Sequence, residues 1–342
     1  MLSVEGDVTR DPTDSTGRET QHRLIIFGDS NSLPSRWLVK AALEVAHQKS
    51  VPVALLCDTG VPRRFGELAH DLQVWAAWKT WRIFEPDTAP RLPVQVPRFA
   101  RLSKQFGVPI LRVPRSTVNE ARSLARIRES GADWSLCFLS LAIFGPELLA
   151  LLGRPVNFHN GSLPQYRGLR ATCWSLYKGE QRSGYAFHYM ARSIDAGPVL
   201  LQDSLPVREG ATPRRLDFEK AVRAAERLPE IFDLVMGGYA GESQAETPQY
   251  FNRAAFEKII AVDRPSELSS EELFRRLRAF EELRLNLNGT VYPVTRLCRS
   301  REKRSDPLDF DTSDGLRLRP CRFMHMPKAV YRLYQVLTGD RR

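Results

Sequence analysis

Paired cysteines, a glycine-rich phosphate loop and an unbroken apolar run are all missing from this 342-residue chain. Cys57, Cys137, Cys173, Cys298 and Cys321 are scattered and odd in number, with no Cys-x-x-Cys pair and no Cys/His cluster at metal spacing. That pattern predicts a reducing compartment and no metal site. Gly28 ends an apolar run but lacks the two further glycines of a dinucleotide fingerprint, which argues against a nicotinamide site there. The longest apolar stretch, Trp134 to Leu152, is interrupted by Gly145, Pro146 and Glu147, so it reads as a buried strand, a turn and a short helix rather than a membrane span. Residues 1–21 have no apolar centre and are no signal peptide; they are expected to form a disordered tail on a cytoplasmic protein.

What is present suits a folded α/β chain. A hydrophobic fraction of 42% and a charged fraction of 26% allow a sizeable core. Fifty basic residues against forty acidic ones leave a net charge of +10, which favours anionic partners such as phosphates or nucleic acid; a basic solvated surface accounts for it equally well. From Arg296 to Arg342 there are twelve Lys/Arg and six Asp/Glu, so the excess is concentrated at the end. Such a run is more often a solvated face than an RNA-binding tail.

In order, residues 22–28 read as a strand, and a helix follows from Arg36 to about Lys49 with Ser35 as its cap. Val51 to Cys57 is the next strand, and this βαβ order starts a parallel sheet. Trp75, Trp78 and Trp81 fall on one helical face in an otherwise irregular, proline-rich segment and read as a packing stripe. Further strands are expected at 108–113, 134–139, 155–159, 184–190 and 199–207, with helices at 118–129, 146–152 and 271–280. A single long helix is expected from Thr212 to Met236, stopped by Gly237-Gly238, and residues 242–249 read as a linker. The predicted fold is therefore a doubly wound, Rossmann-like, mostly parallel sheet over 22–240, with a linker and a small α+β extension over 241–342.

Chemistry concentrates between Val156 and Leu201. Asn157 and His159 are two apart and point the same way if their strand runs through both, at the carboxyl end where open parallel sheets bind ligands. Asp195 sits in an Asp-Ala-Gly-Pro turn. An amide that donates to a developing oxyanion, an imidazole titrating near neutrality and a carboxylate suit acyl transfer to an amine. His159 can carry the proton or, when protonated, share the oxyanion; Asp195 can orient the imidazole, favour its charged form, or take the amine proton directly. His188, on an alternating strand, reads as either a wall of the acceptor pocket or a core histidine. Ser162 lacks a nucleophile elbow and reads as a turn residue, and Cys173 as a helix packing residue.

The ordered set Asn157-Phe-His159, Leu163-Pro164-x-Tyr166-Arg167-Gly168, Gly179-Glu180 and Asp195-x-Gly197-Pro198 closely resembles the folate-dependent formyltransferases, which include methionyl-tRNA, glycinamide ribonucleotide and sugar-nucleotide enzymes. The resemblance covers about residues 22 to 240 and is sharpest at 156–208. It implies a one-carbon transferase with Asn157, His159 and Asp195 as catalytic residues and 10-formyltetrahydrofolate as donor. It also implies that the loop 139–144 holds the pteridine, through Leu139, Ser140, Leu141 and Ile143, and that Ser162, Tyr166, Arg167 and His188 meet the substrate. Arg275 to Phe280 and the Asn-Gly turn after it resemble a short segment that follows the catalytic part in several members.

Where the family usually has Pro and Ser after the histidine, this chain has Asn160 and Gly161, as in relatives acting on sugar nucleotides or carrier-bound amino acids. Nothing after Gly289 matches the C-terminal barrel of the tRNA enzymes, which ranks tRNA below a small amine acceptor such as a nucleotide-linked amino sugar. A formyltetrahydrofolate hydrolase and a folate- or RNA-binding protein without turnover are the remaining readings.

Overall fold

The computed structural model describes residues 22–60, 96–246, 249–300 and 308–320. The expectations for residues 1–21, for the tryptophans at 75, 78 and 81, and for the basic stretch from 321 onward lie outside the described residues. The chain divides into two units: residues 1–164, 184–204 and 217–246 form the first, and residues 165–183, 205–216 and 247–342 the second.

A seven-stranded sheet organises the first unit, in the order β3-β2-β1-β4-β5-β6-β7. Its strands are β1 (Leu24–Gly28), β2 (Val53–Asp58), β3 (Ile110–Arg112), β4 (Trp134–Phe138), β5 (Arg154–His159), β6 (Arg182–Tyr189) and β7 (Val199–Pro206). Strands β1 to β5 pair in parallel, and β6 runs antiparallel to β5. All five residues of β1 and of β4 are buried, the pattern of central strands covered on both faces. Alternation divides their side chains. Leu24, Ile26, Leu136, Val156 and Phe158 enter one core, while Ile25, Phe27, Cys57 and Cys137 enter the other. Each fully buried leucine or isoleucine contributes roughly 1.5–3 kcal/mol.

Helix α1 (Leu33–Gln48) lays Leu38, Val39, Ala42, Leu43 and Ala46 on the first core. Its cap is Ser32, whose side chain accepts from the Ser35 amide. Ser35, expected as the cap, lies instead in the first turn: its Oγ accepts from the Asp29 amide at 2.9 Å and donates to the Phe138 carbonyl at 2.7 Å, joining the exits of β1 and β4. Helix α2 (Phe99–Phe106) adds Phe99 and Leu102 to the same core, and α3 (Ala121–Glu129) and α4 (Pro146–Leu151) cover the opposite face.

In the second unit, α5 (Ala171–Tyr177) buries Cys173 and Trp174. The long helix expected over 212–236, which belongs to the first unit from Asp217 on, is two helices, α6 (Pro213–Glu226) and α7 (Leu228–Met236), because Pro229 falls in the first turn of α7 and has no amide hydrogen to continue the ladder. Helices α8 (Arg253–Ile260) and α9 (Ser270–Phe280) of the second unit follow, α9 capped by Ser269. Trp174 stacks on Phe251 at 4.5 Å between ring centres and meets Phe280 edge-on at 5.0 Å. Two three-stranded sheets complete this unit. One has the order β10-β9-β8, from β8 (Ala261–Val262), β9 (Leu283–Leu287) and β10 (Thr290–Val294); the other has the order β11-β13-β12, from β11 (Leu297–Arg299), β12 (Phe310–Asp311) and β13 (Arg317–Pro320). The small α+β extension expected downstream of 241 has this content.

Cys57, Cys137 and Cys173 are free and buried, whereas Cys298 is disulfide-bonded, which the reading of the scattered cysteines as reduced thiols did not anticipate. Burial pushes the Cys137 thiol up to about 11, so it is a packing residue rather than a nucleophile. Among the described residues, no helix is long and apolar enough to cross a membrane.

Candidate active site

The period of β5 sorts its residues. Val156 and Phe158 point into the core, and Asn157 and His159 share the other face at the carboxyl end of the strand. The antiparallel register of β6 then sets His188 opposite Asn157 and Ala186 opposite His159. Asp195 enters from the turn between β6 and β7, and its carboxylate lies between two imidazoles: Oδ2 is 3.4 Å from His159 Nδ1 and Oδ1 is 3.5 Å from His188 Nε2. The two rings are 6.3 Å apart and nearly perpendicular.

Hydrogen-bond chemistry fixes the tautomer of His188 when it is neutral. Its Nδ1 is 2.8 Å from the Tyr189 carbonyl, which can only accept, so Nδ1 carries the hydrogen. Nε2 then offers a lone pair, and Asn157 Nδ2, 3.1 Å away, donates to it. The amide of Asn157 is thereby oriented, and the second hydrogen of Nδ2 is the one left for another acceptor. His188 is 1% exposed. The residue read as either a wall of the acceptor pocket or a core histidine thus lies within the polar cluster itself.

The turn carrying Asp195 is tightly constrained. Asp195 has φ 53°, in the left-handed region that side chains other than glycine seldom adopt. Two residues on, a Cβ at Gly197 would lie 1.9 Å from the Tyr189 carbonyl oxygen, so only glycine permits the approach. Behind the histidine on β5, the fully buried Lys220 of α6 donates from Nζ to the Asn160 carbonyl at 2.9 Å. Neither Lys220 nor Gln244, discussed below, was found by sequence reasoning: the first sits beside Ala221 on a helix rich in charge, the second in a polar stretch with no pattern.

The other expected site residues divide between the two units. Ser162 has its Oγ against the Gly184 backbone, where a Cβ would come within 2.0 Å, which matches a packed turn residue. In the loop after β4, Ser140 is buried and receives the Cys137 thiol hydrogen at 3.2 Å, while Leu141 and Ile143 are 62% and 68% exposed. Leu139 and Leu141 have left-handed backbones, and Asn119 braces the loop by donating to the Ile143 carbonyl at 2.9 Å and accepting from the Gly145 amide at 2.7 Å. Tyr166 and Arg167 belong to the second unit. There the Tyr166 hydroxyl donates to Glu180 at 2.6 Å, its ring stacks on Phe251, and the Arg167 carbonyl accepts from the Phe251 amide. Burial and the Glu180 carboxylate push the Tyr166 phenol well up, so it remains protonated.

An open α/β sheet gathers an amide, two imidazoles and a carboxylate at the carboxyl end of one strand, a set of groups chemically suited to polar group transfer. A family model described as Formyl transferase matches residues 69–231, which contain that cluster. GDP-perosamine N-formyltransferase of Brucella melitensis is 30% identical over 141 residues, covering 41% of this chain and 54% of that protein. Methionyl-tRNA formyltransferase of an Anaeromyxobacter species is 31% identical over 133 residues, covering 39% and 42%. The chain thus spans about half the length of the curated relatives it matches. Among solved structures, an N-formyltransferase from Helicobacter canadensis, in complex with folinic acid and dTDP-3-aminofucose, has the same fold with a TM-score of 0.52 at 14% identity, covering 86% of this chain and 97% of that one.

Proposed function

We propose that the protein transfers a formyl group from 10-formyltetrahydrofolate to the primary amine of a small acceptor, a nucleotide-linked amino sugar ahead of an amino-acid-like amine. The observation that carries this reading is the convergence of Asn157, His159 and Asp195, with the carboxylate of the last 3.4 Å from the imidazole of the second. The donor's N10-formyl group supplies an acyl carbon open to attack by nitrogen. Asn157, its amide turned by His188, hydrogen-bonds the carbonyl oxygen as negative charge develops there, an effect typically worth about 100- to 1000-fold in rate. His159 shares that oxygen when protonated, and the adjacent Asp195 carboxylate favours the protonated form. Asp195 takes the proton released by the attacking amine, and the departing nitrogen is protonated in turn, so no net acid is produced.

The loop 139–143 fits a flat heteroaromatic donor. Leu141 and Ile143 stand out to solvent on a braced loop whose backbone is left-handed at Leu139 and Leu141, an arrangement whose apolar surface is stabilised when a ring covers it. The GDP-perosamine enzyme and the dTDP-3-aminofucose complex among the relatives support an amino-sugar acceptor. The relative that acts on methionyl-tRNA makes tRNA the comparison to run.

The test is to follow tetrahydrofolate release from 10-formyltetrahydrofolate with nucleotide-linked amino sugars, amino acids and methionyl-tRNA supplied in turn. Release that depends on an amino sugar is expected. Release without any amine would replace the proposal with a hydrolase, and release with methionyl-tRNA alone would overturn the acceptor.

A further inference from the structure

Gln244 lies in the polar stretch after α7 and was given no part in the reaction above. Its Nε2 donates to the Asp195 carbonyl at 3.0 Å and to the Gly197 carbonyl at 2.6 Å. Both targets can only accept, so the nitrogen must face the turn, and both amide hydrogens are used. The neighbouring backbone is joined to the same hairpin. Val199 and Glu242 exchange two backbone bonds at 2.8 Å, the Tyr189 hydroxyl donates to the Tyr239 carbonyl at 2.8 Å, and Gly241 packs against Pro198. Residues 239–244 therefore lie as a strap along the ends of the hairpin that presents Asp195.

The strap meets a local need. A left-handed backbone at a residue with a Cβ is strained, so the Asp195 turn relaxes unless outside contacts hold it. The Asp195 carboxylate has no slack either, because it must stand between His159 and His188 at 3.4 and 3.5 Å. Of the strap's contacts, the two from Gln244 are the side-chain bonds that end on the turn itself, one of them on the carbonyl of Asp195.

We propose that Gln244 is a positioning residue, which fixes the backbone of Asp195 so that its carboxylate faces both histidines. The kinetic consequence rests on the formyl-transfer reading; the placement of the carboxylate does not. Gln244→Met keeps the length of the side chain and removes both donors. Gln244→Asn keeps the donors one methylene short and serves as the milder variant should Gln244→Met fold poorly.

Ring proton resonances of His159 and His188, recorded by NMR on the full chain, read the carboxylate's position without substrate. The expected result is that Gln244→Met moves both sets in the direction that Asp195→Asn moves them, that Gln244→Asn moves them less, and that the His47 signals of α1 stay in place. With substrates, kcat is expected to fall on the order of tenfold while KM for the formyl donor changes less than about twofold, the pattern of a misplaced reacting group. Unmoved His159 and His188 resonances in both variants would overturn the proposal, as would a loss confined to KM. Absence of turnover in the unaltered protein would sink the formyl-transfer reading instead and leave the NMR comparison intact.

Discussion

Polar side chains serve opposite ends in the second unit and in the site of the first. In the second unit they close on one another: Glu272 accepts from Arg276 at 2.6 Å and from the Tyr177 hydroxyl at 2.8 Å, Arg284 donates to Glu257 at 2.6 Å, and Arg319 donates to Asp309 at 2.6 Å. At the site, the facing groups stand farther off, at 3.1, 3.4 and 3.5 Å. The short bonds there run backward to main-chain carbonyls, from His188 to Tyr189, Lys220 to Asn160 and Gln244 to Gly197. Side chains that only hold a fold satisfy each other and are finished. Those at the site are held from behind, so that their forward atoms can exchange partners during a reaction.

The sharpest way to break this contrast is at the forward atoms. Asn157→Ala and Asp195→Asn are each expected to lower turnover by at least about 100-fold, with melting temperatures near that of the unaltered protein, since these groups contribute to the oxyanion and the proton rather than to packing. Turnover assays beside thermal melts check it; near-normal activity in both variants would remove the assignment.

A smaller effect is expected from the backbone support. Gly197→Ala places a methyl group 1.9 Å from the Tyr189 carbonyl, so the turn must shift. A stability loss of about 1–3 kcal/mol, read by urea denaturation, should come with a fall in kcat that exceeds any change in KM for the donor.

In the second unit the expected loss is of stability alone. Burial acts to raise the Glu272 carboxyl, but the bonds from Arg276, Arg275 and Tyr177 outweigh it and hold the group below the usual carboxylate range. Glu272→Gln should cost about 1–3 kcal/mol at neutral pH, measured by denaturation. Because the folded-state value is lowered, this contribution is complete above the ordinary glutamate range and is lost as pH falls through the lowered value, so the two proteins should converge in acid. A gap that widens in acid would contradict the assignment. The smallest effect belongs to the exposed pair of Arg126 and Glu129: Arg126→Ala should change stability by less than about 0.5 kcal/mol.

Much of this molecule was legible before its coordinates. The two-residue period put Asn157 and His159 on one face of β5, and the apolar runs located the strands of the parallel part. Pro229 was a readable break that a count of helix-forming residues between 212 and 236 passed over. Ser35 was misjudged because Ser32 and Ser35 are both able to cap, and Ser35, with the Phe138 carbonyl within reach, turns its hydroxyl there and leaves the cap to Ser32. His188 was visible as a polar residue on an alternating strand, but its partner was not, since Asn157 stands opposite it only in one register of β6. Gln244 gave no signal at all.

By itself, then, the sequence determined the strands of the seven-stranded sheet, several of the helices and the side of β5 on which the chemistry would lie, because alternation and helical periodicity are set by neighbours along the chain. Only the tertiary structure decided that His188 turns the Asn157 amide across 31 residues and that Gln244 reaches the Asp195 turn across 49. Contacts over such separations depend on strand register and on close approaches such as that of Gly197 to Tyr189, which are properties of the packed sheet and not of any one segment.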